Sequence, residues 1–307
     1  MRYAAMFLLP ILAIGGILYF LSQRESSTLV AGQATEIRPG ERKAVLVLND
    51  GKSIVLDSPD SLVLREKDGT VIQKGAGQLN YSPSSPKATQ FPIFNTIRIP
   101  RGGEYHLVLS DGSHVYLNSE SQFTYPVHFS ETAREVELSG EAYFEVEKAG
   151  IPFIVHTKDM GIEVLGTSFN INAYDNTGEI VATLVEGSIK VDARDRMAGS
   201  RVLYPDEQAV LNMARRSIEV KKVDVNLYTA WRKGELIFFD MRLEDIMTIL
   251  TRWYSADVFY MNPSVKELRF SGCLNRYENI NQILDIIAST EKVAIEINKT
   301  TILFSER

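Results

Sequence analysis

The sequence predicts a mainly β protein: one N-terminal transmembrane helix, an all-β domain, and a small α+β domain that closes the chain. Three observations carry that reading. Tyr3 to Leu21 holds no charged residue. From Ala44 to about Asn212 the chain is dense in short alternating runs punctuated by turn residues. From Leu236 apolar residues alternate between strand and helix spacing.

The first element reads YAAMFLLPILAIGGILYFL, Tyr3 to Leu21. Roughly 19 residues at about 1.5 Å each cover most of a hydrocarbon core about 30 Å thick. Pro10 and Gly15-Gly16 are tolerated in lipid, and Tyr3 and Tyr19 suit the two interfaces. The other reading is a cleaved signal peptide. The run is longer than a usual h-region, however, and neither a close small-x-small site nor a cysteine for lipidation follows it. Arg2 and the terminal amine precede the span, while Arg24 and Glu25 cancel after it. The chain is therefore expected N-in, in the inner membrane, with everything beyond Ser22 outside the cytoplasm. The expected organisation is an anchor over 1–22, a tether plus β-hairpin region over 23–97, a β-domain over 98–222 and an α+β domain over 223–307.

Two segments, LVLNDGKSIVLD (Leu46 to Asp57) and LVLSDGSHVYLN (Leu107 to Asn118), align without a gap. Each places Asp-Gly between apolar runs, a strong hairpin signal because tight turns need positive φ angles. They read as two copies of one hairpin unit, or as convergence on a common pattern. Tyr81 to Gln90, rich in Pro and Ser, is expected to be a loop. From Thr96 to about Asn212, runs such as Val136-Glu137-Leu138 and Phe144-Glu145-Val146-Glu147 alternate apolar with acidic, as a strand with one wet face does. Without a helical period anywhere in it, this region reads as a sandwich, a roll or a solenoid.

Beyond Val223 the character changes. DVNLYTAW (Asp224 to Trp231) suggests a short helix. Leu236 to Phe239 is a strand, and Arg242 to Tyr254 places Leu243, Ile246, Met247, Ile249, Leu250 and Trp253 on one helical face. Asp257 to Tyr260 and Leu268 to Leu274 are strands. Asn279 caps a second helix, and a hairpin closes the chain around Asn298-Lys299-Thr300. The predicted order is β-α-β-β-α-β-β.

The net charge of −6 and the absence of a basic run argue against nucleic acid. The single cysteine, Cys273, excludes an intramolecular disulfide. No nucleophile elbow, zinc-protease, phosphate-loop or dinucleotide motif occurs, and Gly75-Ala76-Gly77 reads as loop punctuation. His106 and His114 are expected to face each other across the second hairpin, but two imidazoles alone make a poor metal site. The pairs Glu135/Glu137 and Glu145/Glu147 read as solvated strand faces, not as glycosidase carboxylates. No catalytic residue, metal or cofactor is expected. One peptide bond invites chemistry: in VLGTSFNI (Val164 to Ile171), Gly166-Thr167 falls between two strands. A threonine hydroxyl held in a strained turn can attack the preceding carbonyl, shift the acyl group from N to O and leave an ester open to hydrolysis. The plainer reading is a glycine bulge before an ordinary strand residue.

These residues carry a resemblance. PRGGEYHLVLSDGSHVYLNSESQFTYP (Pro100–Pro126), VELSGEAYFEV (Val136–Val146), PFIVHT (Pro152–Thr157), VLGTSFNINAY (Val164–Tyr174), ATLVEGSIKV (Ala182–Val191) and, more weakly, YPDEQAVLN (Tyr204–Asn212) occur in the order found in FecR-like transmembrane anti-sigma regulators. WRKGELIFFDMRLEDIMTILTRWY, from Trp231, is similar to the C-terminal domain of the Bacteroidetes members, itself similar to the secretin/TonB short N-terminal module. The resemblance implies a relay. The periplasmic signalling domain of a TonB-dependent outer-membrane transporter touches the periplasmic region, and an extracytoplasmic-function sigma factor responds. It also implies self-cleavage at Gly166-Thr167, as in some members. In the family a cytoplasmic segment before the span holds the sigma factor; only Met1 and Arg2 precede the predicted span here, so the expectation is either a truncated start or a copy that does not hold the sigma factor itself.

A small α+β unit has exposed strand edges, to which a partner can add a strand. Docking is therefore expected on the C-terminal domain or near its junction with the β-domain, with Trp231, Phe238 and Phe239 as candidate contacts. The competing classes are a membrane-anchored periplasmic carbohydrate-binding protein, for which Tyr125, Phe129, Tyr143 and Phe144 are the dense aromatic cluster, and a secretin-type assembly component.

Overall fold

The computed structural model describes residues 37–57, 60–75, 77–82, 92–194 and 198–307. The predicted anchor, Tyr3 to Leu21, lies outside them. Among the described residues no helix is long and apolar enough to cross a membrane.

Asp-Gly turns organise the first third of the β-region. In the first hairpin Leu48 N–H donates to Lys52 O, Gly51 N–H to Leu48 O, and Lys52 N–H to the Asp50 carboxylate. The second hairpin repeats the pattern, with Leu109 to Ser113, Gly112 to Leu109, and Ser113 to Asp111. Only the glycines take positive φ, 84° at Gly51 and 88° at Gly112. The loops are thus three-residue turns with a glycine bulge, in which the aspartate side chain caps the turn, and not the tighter two-residue form. A third, unpredicted copy uses Glu66, Asp68, Gly69 and Thr70 with the same three bonds. It joins Leu62–Arg65 to Val71–Gly75. Leu64 and Ile72 face the core, but the buried Asp68 (3% exposed), Thr70 (0%) and Lys74 (7%) beside them interrupt the apolar alternation that marks the other two. The loop expected over 81–90 begins inside a strand, Gln78–Ser82; residues 83–90 lie outside the described ones.

Among the described residues, nineteen strands form one curled sheet that doubles into two layers. The first layer runs, by pairing, through Ser53–Val55, Val45–Val47, Phe94–Arg98, Gln122–Pro126, the start of Arg134–Glu145, Phe153–His156, Met160–Val164, Ile189–Ala193 and Ser200–Leu203. The second runs through Leu62–Arg65, Val71–Gly75, Gln78–Ser82, Gly103–Val108, His114–Leu117, the end of Arg134–Glu145, Ser168–Ala173, Glu179–Glu186, Glu207–Asn212 and Ser217–Lys222. The two predicted hairpins lie in different layers, and no strand of one pairs with a strand of the other. They are not solenoid rungs.

The twelve-residue strand Arg134–Glu145 belongs to both layers. Glu137, Leu138 and Ser139 pair with Gln122–Thr124, whereas Gly140 to Glu145 pairs with Ser168–Ala173. The switch falls at Gly140, whose φ is 102°. A Cβ there would lie 2.5 Å from Ser121 Oγ and 2.6 Å from Ser121 Cα, so only glycine passes. The layers enclose a core of Phe123, Tyr125, Phe144, Phe153 and Phe169, with Leu, Ile and Val around them. Tyr125, Tyr143 and Phe144 are buried and Phe129 is partly buried against this core, so the aromatic cluster is interior and makes no sugar platform.

The C-terminal module follows the predicted order. Helix α1 (Asn226–Thr229) and a 3-10 turn (Ala230–Lys233) lead into strand Glu235–Arg242, helix α2 (Leu243–Tyr254) and strands Asp257–Tyr260 and Arg269–Asn275. Helix α3 (Ile280–Ala288) and the hairpin Val293–Asn298 with Thr301–Glu306 complete it. Glu235–Arg242 pairs with Arg269–Asn275. The other three strands form a separate sheet with Thr301–Glu306 central. Its core of Leu243, Met247, Leu250, Trp253, Ile280, Leu284 and Phe304 also takes in Ile37, at the start of the described chain.

Candidate functional site

The seam between the two modules is built on arginines resting on aromatic rings. Gly234 (φ 85°) ends the 3-10 turn and lets Tyr277 pack there, since a Cβ would lie 2.5 Å from its ring. That stop aims Trp231 and Arg232 back at the β-module. The Trp231 indole N–H donates to Asn170 Oδ1 (3.1 Å), and its carbonyl accepts from Arg276 (3.0 Å). Arg276, 1% exposed, also donates to Asn118 Oδ1 (3.0 Å) and lies 3.5 Å over the centre of the Trp253 ring. Arg232 sits over Tyr143 at 4.3 Å and pairs with Glu145. Arg252 covers Tyr174 at 3.8 Å, donates to Asn176 (2.8 Å) and pairs with Glu120 (3.3 Å).

From the β-module, Arg101 reaches the opposite way to Asp257 (3.0 Å) and to the carbonyls of Thr251 and Ala256. Gly102 N–H donates to Arg252 O at 2.7 Å. A desolvated cation–π contact contributes about 2 kcal/mol, so the two that cross the seam, Arg232 on Tyr143 and Arg252 on Tyr174, outweigh ordinary surface ion pairs of about 0–1 kcal/mol. Beneath them Glu141 accepts from Asn118 (2.8 Å) and Asn170 (3.0 Å). Burial pushes its carboxyl pKa up, and the two amides hold it back. Burial also lowers the pKa of Arg276. A cavity of about 250 Å³ opens between Tyr174, Asn172, Trp231, Phe238, Arg252 and Arg276.

The sequence-predicted residues divide. Trp231 (8% exposed) and Phe238 (5%) are internal, committed to the seam and to the module core. Phe239 is 73% exposed, at a bulge where Asp240 takes a φ of 46°. Gly166 adopts a φ of 152° and packs on Lys148, whose Cα would lie 2.7 Å from a Cβ. Thr167 is buried, and its hydroxyl donates to Ser188 O at 3.1 Å. A carbonyl orients that hydroxyl but takes no proton from it. The strand that follows, Ser168–Ala173, supplies Asn170 and Asn172 to the seam, so the Gly166-Thr167 bond adjoins it without belonging to it. His106 and His114 sit diagonally on one face, with nitrogens 3.0 Å apart. Among the described residues no three His, Cys, Asp or Glu side chains gather as a metal site.

Sequence reasoning missed the arginines. Their one legible signal was Arg252, which stands beside Trp253 at the end of an otherwise apolar helical face.

A layered β-module with an α+β module latched to it defines a two-module scaffold, and known proteins share it. The family described as FecR protein matches residues 95–190, and the one described as FecR, C-terminal, matches residues 235–304, together more than half of the chain. Two crystal structures of a candidate anti-sigma factor from Parabacteroides distasonis ATCC 8503, at 2.50 and 1.65 Å resolution, are similar. Each superposes with a TM-score of 0.63 at 27% identity, covering 70% and 69% of this chain and 99% of the other. No curated protein matches the chain. The chain belongs to the FecR family.

Proposed function

We propose that this protein is a membrane-anchored anti-sigma-type regulator. Its C-terminal module receives the periplasmic signalling domain of a TonB-dependent transporter and passes the event toward an extracytoplasmic-function sigma factor. The bulk of the chain would lie in the periplasm, tethered N-in to the inner membrane. The observation that carries the reading is the path of the chain. Ile37 is buried in the core of the C-terminal module, and Gly40 lies so close under Trp253 that a Cβ would stand 2.6 Å from its ring. The segment leading to residues 1–36 is thus clasped by the module that would receive the partner. Force on that module reaches the tether without crossing the β-layers.

The docking surface in this reading is strand Asp257–Tyr260. It pairs on one side only among the described residues, carries Phe259 (59% exposed) and is followed directly by Met261 (61%). An edge strand adds main-chain hydrogen bonds, and exposed aromatics anchor it. Replacing Phe259 and Met261 by aspartate is expected to weaken binding to the immobilised signalling domain by about thirtyfold, about 2 kcal/mol, as for a hot-spot side chain. Unchanged retention would reject this surface.

Self-processing at Gly166-Thr167 belongs to the same proposal. The positive φ at Gly166, a conformation that L residues rarely adopt, favours it by holding the scissile bond in an unusual turn. The Thr167 oxygen would attack the Gly166 carbonyl carbon as the C–N bond breaks and the amine takes the proton. Water would then cleave the ester.

A further inference from the structure

Strand Glu235–Arg242 has one edge that the fold leaves open. Among the described residues it pairs with Arg269–Asn275 on one side and with no strand on the other. The cavity of about 250 Å³ in the seam runs along that other side, where five consecutive residues, Glu235, Leu236, Ile237, Phe238 and Phe239, line it. Side chains alternate between the two faces of a strand, so five in a row meet one cavity only where it follows the strand's edge. Burial agrees: Leu236 and Phe238 belong to the module core, whereas Ile237 is half-buried and Phe239 exposed. In an antiparallel pair, residues that do not exchange bonds with the partner strand turn their N–H and C=O to the opposite edge. On this strand that edge is the cavity wall.

The facing wall belongs to the β-module. Strand Ser168–Ala173 and the residue after it set Asn170, Asn172 and Tyr174 two positions apart, on one face. Asn170 is committed to Trp231 and Glu141, and the Tyr174 hydroxyl donates to Ser119 O at 2.6 Å. Asn172 is half-buried, lines the cavity and makes no side-chain hydrogen bond among the described residues. Its primary amide holds the donor and the acceptor that match a peptide group. The charges along the walls are compensated: Arg252 pairs with Glu120 at 3.3 Å, Arg276 faces Glu104 at 3.9 Å, and Glu141 accepts from Asn118 and Asn170. Glu235 is exposed to solvent. An ion entering between these walls would stay unpaired, which is costly, whereas uncharged main chain would find partners on both sides.

We propose that this groove accepts an extended, uncharged peptide segment of a partner protein as an added strand. At about 3.3 Å per residue, the open edge from Glu235 to Phe239 takes a run of roughly four residues. Apolar side chains of the segment would enter between Leu227, Ile249 and Trp253, and Asn172 would hold its far side. The site is separate from strand Asp257–Tyr260 and does not depend on that surface. A segment seated here touches both modules, so occupancy would tie them together and raise the Tm with ligand concentration.

Both tryptophans of the chain line the groove, so their fluorescence reports occupancy. The test titrates the detergent-solubilised full chain with acetylated, amidated tetrapeptides in which Thr alternates with Val, Leu or Phe. Two analogues of the best binder carry N-methyl groups on alternate residues, one on each register, which keeps the side chains and removes main-chain donors. Expected are a saturable fluorescence change and a rise in Tm, with binding at least tenfold weaker for one of the two analogues. Asn172→Ala, which breaks no hydrogen bond of the free protein, should weaken binding at least threefold. No saturable change with any tetrapeptide, undiminished binding of both methylated analogues, or undiminished binding in Asn172→Ala would overturn the assignment.

Discussion

Replacing Gly140 by alanine tests the layer switch on which the β-module depends. The substitution forces an L residue to a φ of 102°, at a cost of about 1–2 kcal/mol. The new methyl would stand 2.5 Å from Ser121 Oγ and 2.8 Å from Ser121 Cβ. Ser121 cannot step aside freely, because its hydroxyl donates to Glu141 O (3.0 Å) and accepts from Glu141 N–H (2.8 Å). Overpacking adds about 1–3 kcal/mol, and losing those two bonds about 1 kcal/mol each. The sum is roughly 4–7 kcal/mol, comparable to the whole stability of a modest domain. Gly51→Ala is the control: φ is 84° there, but no atom lies within 4 Å of the added carbon, so only the backbone cost of about 1–2 kcal/mol remains. Urea denaturation followed by the fluorescence of Trp231 and Trp253 measures both. Equal destabilisation by the two substitutions would refute the claim that the strand crosses between layers at Gly140.

Three further outcomes follow from particular contacts. Arg276→Met should cost no more than about 2 kcal/mol in stability, because removing a buried cation relieves desolvation and its acceptors keep other donors, Gly234 N–H on Trp231 O and Ser119 N–H on Asn118 Oδ1. The same change should loosen the seam, read as faster hydrogen exchange at Trp231 to Gly234. For His106 burial first, then His114 and Arg42, lower the folded pKa to about 4, below the ordinary 6.5. The unfolded chain therefore binds more protons between those values, and stability should fall as pH drops from about 6.5 to about 4. That slope should shrink in His106→Gln, measured by denaturation across the window. Intact-mass analysis of the membrane form should find two fragments meeting at Gly166-Thr167 in the wild type and one uncut chain in Thr167→Ala; an uncut wild-type chain would remove self-processing from the proposal.

Much of the architecture was legible before any coordinates. The Asp-Gly hairpins and the β-α-β-β-α-β-β order rest on local signals, turn chemistry and apolar period, which neighbouring residues carry by themselves. The third hairpin escaped notice because the buried polar residues Asp68, Thr70 and Lys74 interrupt the apolar alternation around Leu64 and Ile72, and polarity at period two reads as solvent. The seam was illegible for a related reason. Arg232, Arg252 and Arg276 look like surface charges in sequence, and their aromatic partners come from strands about 80 to 90 residues away, or from within their own module. Trp231 and Phe238 read as exposed anchors because hydrophobicity alone does not say which side of a module a residue faces; the 3-10 turn ending at Gly234 points Trp231 inward.

The amino-acid order by itself determined where this chain turns, which residues alternate, which spans are helical, and the family those motifs identify. Tertiary structure alone decided that the sheet doubles at Gly140 and that arginines carry the seam. Turns and periods are set by residues a few positions apart. A buried charge or an unused donor is defined by what long-range folding brings beside it.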